Sequence, residues 1–405
     1  MKISGIICEY NPFHNGHMHH INLTKSATNS DGIVGIMSGN FAQRGIPTLI
    51  DKWTRARMAL EGGVDLVIEL PAIFALSSAE FFAKGSVELL DSLGVIDYLS
   101  FGSEIGDLKD LKLIAEILCE EPAKFKSLLK YYLAKGLPFA KSRSLALKDY
   151  LDIQDSSKDL ELIMSSPNNV LAIEYCKALI KLNSSITPFT IKRQGNNYND
   201  KVLKDGFASA SALRNFLGSS KDLSMIKKYL PDSTLAIMES LKTEGYPFVF
   251  PEDMFPFIKY RLLTDSNSLW KIPEASEGLD RKILKEITHC TCLDELISNV
   301  KSKRYTYTRI SRILCQYFLN FDSYDIASLR NSKPSYGRIL GFNSTGAAIL
   351  KKIKASENIC LLTKASKLQN PMISLDINAT KAYSMINSAL SPVEDFIKSP
   401  VLVYK

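Results

Sequence analysis

Short apolar runs alternate with amphipathic segments along the first two hundred residues of the chain. Four of the runs have the length and β-branched content of strands: SGIICEY, DGIVGIMSG, VDLVIEL and DYLSFGSE. The segments between them, such as DKWTRARMALEGG and SAEFFAKGSVELLDSLG, repeat apolar residues at the spacing of one helix face. Strand and helix in strict alternation predict an α/β fold with a parallel sheet. Because each strand is mostly apolar, we expect helices on both faces of that sheet.

The pattern changes after about residue 220, where helical spacing dominates in segments such as LSMIKKYL and LDRKILKEI. From about Pro334, strand-like runs return as ENICLLTK and PVLVYK. We therefore predict two domains, residues 1–220 and 221–405, that meet near Ser219 and Ser220. The first is the α/β sheet domain, and the second is a helix-rich region with a small α/β portion.

Composition is that of an ordinary globular protein. Of 405 residues, 45% are apolar and 23% are charged, which is enough apolar content for a large core. The first apolar run is too short for a secretory signal, and no window approaches the about 18 apolar residues of a membrane span. Seven cysteines without a CxxC pair argue against a disulfide framework or a zinc knuckle. These features predict a cytoplasmic protein that does not enter membranes.

Positive charge is concentrated in one segment. The whole chain carries a formal charge of +7, but the segment from Lys301 to Ala355 alone carries +9, so the remainder is slightly acidic. This asymmetry predicts a polyanionic partner for the basic segment. A solvated helix face is the alternative explanation.

The stretch IICEYNPFHNGHMHH contains four of the five histidines and lies where the first strand turns into its helix. Ligands of doubly wound sheets bind beyond such strand ends. Pro12 restricts the loop, Gly16 permits close approach of the backbone, and His14 and His17 fall in the first helical turn, whose free N–H groups suit phosphate. A metal site at His14, His17 and His20 lacks matching carboxylate or cysteine ligands. Surface histidines without a role are the other alternative.

A second phosphate-type motif lies in FASASALRNFL, where Ser209, Ser211 and Arg214 gather at another predicted helix start. Plain serine capping and an exposed arginine would explain the same residues. Other polar groups follow the remaining strands or begin a helix. These groups are Asn40, Gln43 and Arg44 in SGNFAQRG, Gly102 in FGSE, Asn168 and Asn169 behind Pro167 in SSPNNVLAIEY, and Lys192 and Arg193 in IKRQG. Helix capping is the alternative for the asparagines, and a plain turn is the alternative for Gly102.

The segment KSKRYTYTRISRILCQYF interleaves basic and aromatic residues, a combination that binds phosphates and stacks on unpaired bases. We predict RNA contacts from Lys301, Lys303, Arg304, Tyr305, Arg309 and Arg312. Further basic residues extend the pattern at Lys333, Arg338, Lys351, Lys352 and Lys354. An amphipathic helix that packs its apolar face and leaves its arginines in water would produce the same pattern.

The spacing HNGH behind an apolar strand and EYNPF resembles the signature of the HIGH-type nucleotidylyltransferases, and ASASALR resembles their late serine and arginine motif. Further stretches resemble the bacterial tRNA(Met) cytidine acetate ligases across most of the first 220 residues, and more weakly in KRYTYTRISRIL, YGRILGFNSTG and SLDINATKAY. The stretches that carry this resemblance are EYNPFHNGH, MSGNFAQRG, the ELP after VDLVI, FGSE, SSPNNVLAIEY, TIKRQG and ASASALR.

The resemblance implies a Rossmann-like nucleotidylyltransferase domain that converts acetate and ATP into acetyl-adenylate. It then transfers the acetyl group to the wobble cytidine of elongator tRNA(Met). His14 and His17 would be catalytic. Mg²⁺ is expected with ATP, without an assigned protein ligand, and no stable protein partner is implied. Carried over, the ATP site comprises Ile7, Cys8, Glu9, Tyr10, Asn11, Pro12, Phe13, His14, Asn15, Gly16, His17, Met18, His19, His20, Gly102, Asn168 and Arg193.

Two other functions remain open at this stage. A nucleotidylyltransferase that acts on a small molecule would share both phosphate motifs. An RNA-binding protein on a catalytically inactive scaffold would share the basic segment.

Overall fold

The structure is a computed structural model that describes residues 1–151, 160–193, 207–220, 222–365 and 369–404. The four predicted strands of the first region are confirmed as β1, β2, β5 and β6. The strands of the described chain are β1 Ile3–Cys8, β2 Gly32–Ser38, β3 Phe41–Ala42, β4 Ile46–Pro47, β5 Leu66–Leu70, β6 Tyr98–Ser103, β7 Thr187–Lys192, β8 Tyr336–Phe342, β9 Cys360–Leu362 and β10 Val401–Leu402.

Helices account for most of the remaining described chain. The α-helices are α1 Asn15–Thr28, α2 Lys52–Glu61, α3 Ala72–Ala75, α4 Ala79–Ser92, α5 Leu108–Glu120, α6 Ala123–Ala134, α7 Phe139–Leu151, α8 Leu160–Ser165, α9 Pro167–Leu182, α10 Ala210–Ser220, α11 Asp232–Thr243, α12 Phe255–Thr264, α13 Leu279–Glu286, α14 Leu293–Val300, α15 Tyr307–Phe318, α16 Ile326–Asn331, α17 Ser344–Ser356, α18 Pro371–Ile386 and α19 Glu394–Ile397. Short 3₁₀ turns span Ser224–Tyr229, Pro251–Met254, Ser266–Lys271, Pro273–Ala275 and Phe321–Ser323. The predicted helix LSMIKKYL is therefore a 3₁₀ turn.

One eight-stranded sheet forms the centre of the molecule, in the order β10-β8-β5-β2-β1-β6-β7, with β9 also paired to β8. Strands β1, β2, β5, β6 and β7 are mutually parallel, as predicted, whereas β8 runs antiparallel to β5. The chain leaves β1 toward β2 and β5 on one side and later returns to β6 and β7 on the other. The strand order therefore reverses between β1 and β6, which is where such sheets bind ligands.

The α/β fold and the helix-rich character of the later region are confirmed. Strands β8, β9 and β10 come from beyond residue 220 and extend the same sheet. They include the predicted strand-like runs near residues 360 and 401. The division of the chain into domains at residue 220 stays a prediction.

A buried ion cluster joins the two regions of the chain: Lys52 at the start of α2, Glu69 in β5, Arg338 in β8 and Asp395 in α19. The Lys52 ammonium lies 2.7 Å from Glu69 and 2.9 Å from Asp395, and Arg338 pairs with Asp395. All four side chains are at most 5% exposed. Each buried charge has a partner of opposite sign. The cluster therefore holds β8 and α19 against β5 and α2.

Arg55 of α2 fastens the strand ends next to the switch point. Its fully buried guanidinium donates to the carbonyl of Glu9 after β1 and to those of Ser38 and Gly39 after β2. These hydrogen bonds tie the loop after β1 to the end of β2. Within the described ranges, no helix is both long enough and apolar enough to cross a bilayer.

Candidate active site

Two adjoining cavities open at the carboxyl ends of β1, β6 and β7, at the switch point of the sheet. The larger has a volume of about 1100 Å³ and the smaller about 640 Å³. Side chains and backbone common to both are His14, His17, His20, Gly102, Arg193 and Ser209. The two phosphate-type motifs of the sequence, although 200 residues apart, therefore lie at one place.

His14 and His17, called the histidine pair below, begin α1 in a capping arrangement. The His14 ring accepts a hydrogen bond at Nδ1 from the Gly16 N–H (3.1 Å), and the His17 ring accepts one at Nδ1 from the His14 N–H (3.3 Å). The rings stack with their centres 3.6 Å apart, and Tyr10 packs edge-on against His17. Sequence, cap and ring orientation are thus linked: HNGH both starts the helix and aims its imidazoles.

Both imidazoles of the pair are neutral. Burial, reinforced by the positive charges of Arg193 and Arg214, lowers the pKa of His14 to about 3. Burial and neighbouring His14 and Arg193 also hold the pKa of His17 well below its usual value. A neutral imidazole that accepts at Nδ1 carries its proton on Nε2. Each ring therefore offers an N–H donor at a helix N-terminus, which is an arrangement for binding an anion.

The late motif lines the larger cavity together with the histidine pair. Ser209 caps α10 by accepting the Ala212 N–H at 3.2 Å, as the capping alternative predicts. Arg214 donates to the Asn11 carbonyl at 2.6 Å and to Ser211 Oγ at 3.2 Å. These bonds fix the guanidinium in the same cavity as the histidine pair, and Ser209, Ser211 and Arg214 all line the cavity wall.

The two asparagines of α9 differ in what they contact. Asn169 is 2% exposed, and its Oδ1 accepts the N–H groups of Glu104 (2.9 Å) and Ile105 (3.2 Å). Asn168 lines the larger cavity and is positioned by Glu104, whose carboxylate accepts its Nδ2 at 2.7 Å. Asn168 is therefore the one of the two that faces the cavity, while Asn169 fixes the loop after β6.

Gly102 is the second-last residue of β6, and the Arg193 side chain packs against it. A Cβ at this glycine would lie 3.1 Å from Arg193 Cγ, so the glycine allows the arginine side chain to lie close to the strand. Phe207 lines the smaller cavity next to them and stacks on His19 with ring centres 5.1 Å apart. His20 binds Ser100 Oγ through Nε2 at 3.1 Å, and burial lowers its pKa to about 4.

Not every residue of the predicted ATP site lines these cavities. Pro12, Phe13, Asn15 and Met18 lie outside their walls. Phe13 is fully buried, and Asn15 donates to the Lys228 carbonyl at 3.1 Å. The contribution of these four to ATP binding stays a prediction. Ile7, Cys8, Glu9, Tyr10 and Asn11 all line the larger cavity.

Asn40, predicted at the same sheet edge, does not reach the larger cavity. Its side chain is 2% exposed and accepts the Lys52 N–H at 2.8 Å, so it binds the first N–H of α2, whose N-cap is Asp51. Gln43 and Arg44 do line the cavity.

Several aromatic and apolar wall residues were not identified from sequence. Phe82, Phe101, Leu171 and Tyr175 line the larger cavity, and Phe207 lines the smaller. Their periodicity is that of ordinary core residues, so no local signal distinguishes them from the rest of the core. The positioning role of Glu104, at the end of FGSE, was not predicted either.

The predicted RNA-binding residues divide into an exposed and a paired group. Lys301, Lys303 and Arg304 are exposed in the loop before α15, where Arg304 also forms an ion pair with Glu277 at 2.9 Å. Tyr305 is half-buried, and its hydroxyl donates to the Glu277 carbonyl at 3.1 Å.

Arg309 and Arg312 lie on α15 itself and contact Glu274. Arg309 donates to the Glu274 carbonyl through Nε (3.0 Å) and Nη2 (2.8 Å), and Arg312 lies 3.7 Å from the carboxylate. The inclusion of Arg338 in the basic surface was wrong, because this side chain is fully buried in the buried ion cluster. The RNA-binding role of the other residues stays a prediction.

Metal ligands do not gather at the site. Among the residues that the structure describes, no group of three or more His, Cys, Asp or Glu side chains is close enough to hold a metal ion. Glu9 is the one carboxylate among the described lining residues, and its Oε1 accepts the Gln43 N–H at 2.7 Å.

Comparisons with known proteins agree on one family. The family model described as HIGH Nucleotidyl Transferase matches residues 1–395. The tRNA(Met) cytidine acetate ligase of Clostridium novyi is 51% identical over 401 residues, 99% of each chain, and that of Clostridium acetobutylicum is 51% identical over 407 residues, 100% of each. The crystal structure of Thermotoga maritima TmcAL bound with alpha-thio ATP superposes with a TM-score of 0.90 at 32% identity, covering all of both chains. An apo form of that protein gives 0.91 at 33% identity, again over both whole chains.

Proposed function

The chain belongs to the tRNA(Met) cytidine acetate ligases of the HIGH nucleotidyl transferase family, and on that premise we propose that it attaches acetate to the wobble cytidine of elongator tRNA(Met), using ATP. The observation that carries this proposal is the neutral histidine pair. It presents two Nε2–H donors at the N-terminus of α1, in a cavity that also contains Arg214. This is a set of donors for a polyphosphate chain.

In the proposed first step, a carboxylate oxygen of acetate attacks the α-phosphorus of ATP. The bond from that phosphorus to the bridging oxygen breaks, and pyrophosphate leaves with the electron pair. Negative charge grows on the phosphate oxygens during this displacement, and the histidine pair and the end of α1 stabilise it. No residue becomes covalently modified, so the main task of the protein is to align the two substrates.

In the proposed second step, N4 of cytidine attacks the carbonyl carbon of acetyl-adenylate. A carbon–nitrogen bond forms, the carbon–oxygen bond to AMP breaks, AMP leaves with the electron pair, and N4 loses a proton to solvent. The product is N4-acetylcytidine. Acetate alone would not react, because an oxide leaving group is poor, whereas the mixed anhydride with AMP has a good leaving group.

The proposed ATP contacts follow the geometry of the two cavities. Ser209, Ser211 and Arg214 bind the β- and γ-phosphates, and Gly102, Asn168 and Arg193 bind the nucleoside part. Mg²⁺ is proposed to enter with ATP, bound by phosphate oxygens and water, which suits a site whose described lining has one carboxylate. The substrate tRNA and the free cysteines of the described chain suit a cytoplasmic location.

Exchange of labelled pyrophosphate into ATP, measured with and without acetate, tests the first step. We expect exchange only with acetate, whereas a nucleotidylyltransferase for another small molecule would ignore acetate and a non-catalytic RNA-binding protein would show no exchange. Labelled acetate, ATP and elongator tRNA(Met), followed by nucleoside analysis, test the second step. Exchange without acetate, or label found anywhere other than N4-acetylcytidine, would contradict the proposal.

A further inference from the structure

The larger cavity has a wall that the ATP contacts do not use. It is lined by Gln43 and Arg44 from the β3–β4 hairpin and by apolar side chains of α4, β6 and α9, namely Phe82, Phe101, Leu171 and Tyr175. Phe101 and Tyr175 pack with ring centres 5.6 Å apart. The two ring planes are tilted by 49° to each other, so this part of the cavity combines an aromatic, apolar lining with the polar side chains of the hairpin.

The hairpin tip that supplies the polar side is fixed from two directions. Glu9, directly after β1, accepts the Gln43 N–H at 2.7 Å. Gly45, with φ of +74°, packs on the backbone of α15 so closely that a Cβ would lie 2.4 Å from Arg312 N. Ser311 of α15 also donates to the Gly45 carbonyl at 2.9 Å.

The backbone of Gln43 is held in place, but its side-chain amide has no hydrogen-bond partner among the described residues. The side chain is half-buried. A fixed backbone that presents an unused amide donor and acceptor into a cavity is an arrangement for binding a polar ligand edge.

The second half-reaction requires a ligand of this shape. A cytosine base must leave the stack of the anticodon loop to bring N4 to acetyl-adenylate, and an unstacked base needs an apolar face and a polar partner for its edge. We propose that this compartment is the cytosine pocket: the Phe101 and Tyr175 wall takes the base face, and Gln43 donates to the N3 and O2 edge. This inference rests on the proposed function.

The hairpin also connects the pocket to the basic segment. Gly45 sits against Arg312, which lies five residues, or about 7.5 Å along the helix axis, after the first residue of α15, Tyr307. The exposed Lys301, Lys303 and Arg304 come directly before that helix start. Arg44 lines the cavity next to Gln43, so basic residues lie both at the cavity and before α15, where backbone phosphates of a bound RNA would find partners.

Gln43→Leu and Gln43→Glu test this inference because the two half-reactions are measured separately. Leucine removes the donor, and glutamate places oxygen lone pairs against those of N3 and O2. For both variants we expect acetate-dependent pyrophosphate exchange within twofold of wild type. Acetyl transfer to an elongator tRNA(Met) transcript should fall at least tenfold in kcat/KM. Gln369→Leu, at an exposed position outside the cavities, is the matched control and should leave both activities unchanged.

Each outcome bears on a different claim. Loss of exchange together with transfer would overturn the inference, because the amide would then serve ATP or acetate. Unimpaired transfer in both variants would overturn it as well, with the proposed function intact. A wild-type chain without acetate-dependent exchange would overturn the proposed function first. Retained exchange also shows that the variants are folded.

Discussion

The buried ion cluster and the histidine pair are two buried polar clusters that differ in how their ionisable groups avoid an unpaired buried charge. In the first, two cations and two carboxylates neutralise each other, and the charges remain. In the second, two ionisable rings lie beside the cationic Arg193 and Arg214, and the rings lose their charge instead. Burial therefore has a different electrostatic result in each cluster.

The difference separates a structural cluster from a ligand site. A charge set that is balanced within the chain needs no external counter-ion, and it links β5 to β8 across the boundary between the early and late parts of the chain. Neutral donors surrounded by positive charge favour an anion that the chain does not itself provide. Polyphosphate is such an anion, so the contrast supports ATP binding without reference to any relative.

The largest expected effect comes from breaking the buried ion cluster. Asp395→Asn leaves Lys52 and Arg338 to share the carboxylate of Glu69, and we expect a loss of about 3–5 kcal/mol in the free energy of unfolding, measured by urea denaturation. Glu61→Gln, which removes the exposed Arg57–Glu61 pair, is the control and should cost about 0.5 kcal/mol or less. Equal losses in the two variants would remove the distinction between paired and solvated charges.

The next largest effect is catalytic. His17→Asn keeps a side chain that can accept the His14 N–H but removes the Nε2–H donor, and we expect acetate-dependent exchange to fall by about 10²–10³. The free energy of unfolding should change by less than about 1 kcal/mol, opposite to the Asp395 variant. His289→Asn is the exposed control and should retain full exchange. Exchange within threefold of wild type in His17→Asn would show that the pair does not stabilise the reaction.

A pH experiment tests the neutrality of the histidine pair. The unfolded His14 binds a proton below pH 6.5, whereas the folded ring, with its pKa of about 3, does not, so its contribution to stability is lost as pH falls from 6.5. Between pH 7 and pH 5 the wild-type chain should lose about 2 kcal/mol of its free energy of unfolding through His14. The His14→Gln variant lacks this loss, so its free energy of unfolding, measured by urea denaturation, should fall by that much less over the same pH range.

Asp376 acts in the opposite direction and must be separated from this effect. Burial, then the nearby Glu69, raises its pKa to about 7, so the folded chain holds a proton there that the unfolded chain lacks between pH 4 and pH 7. Its contribution to stability grows as pH falls through 7. The difference between wild type and His14→Gln cancels this term, and equal pH dependence in the two proteins would contradict a neutral His14.

The smallest expected effect concerns the basic segment. Changing Lys301, Lys303 and Arg304 together to Gln should raise the KM for tRNA by about tenfold and reduce the salt dependence of binding, by roughly 0.7 in log–log slope for each phosphate that no longer has a basic partner. Acetate-dependent exchange should not change. The same change at the exposed lysines of α6, Lys124, Lys126 and Lys130, is a charge-matched control. Equal effects of the two triple variants would indicate a general charge effect rather than a binding surface.

Local patterns were sufficient for the strands β1, β2, β5 and β6 and for the two motifs as candidate helix starts. That both motifs belong to one site was implied by the family resemblance and not by local pattern. The helix start at HNGH could be predicted because capping depends on neighbouring residues. The roles of Arg338 and Asn40 could not, because each is decided by a partner in another element: Asp395 of α19 for Arg338, and the Lys52 N–H of α2 for Asn40. The antiparallel β8 was missed for a related reason, since its pairing with β5 joins residues about 270 positions apart.

The aromatic wall of the larger cavity was missed for another physical reason. Phe101 and Tyr175 are about as buried as any core residue, and the open space beside them exists only after α9 packs on the sheet. Sequence spacing reports which face of an element is apolar. It does not report where two apolar faces leave a gap.

The central claim is that the histidine pair binds the phosphates of ATP while acetate attacks. Crystals of the protein grown with a non-hydrolysable ATP analogue test it most directly. We expect the triphosphate between His14 and His17 on one side and Arg214 on the other, with Nε2 of both rings within hydrogen-bond distance of phosphate oxygens. Phosphate density elsewhere, with the histidine pair contacting water or a transition metal, would contradict the account.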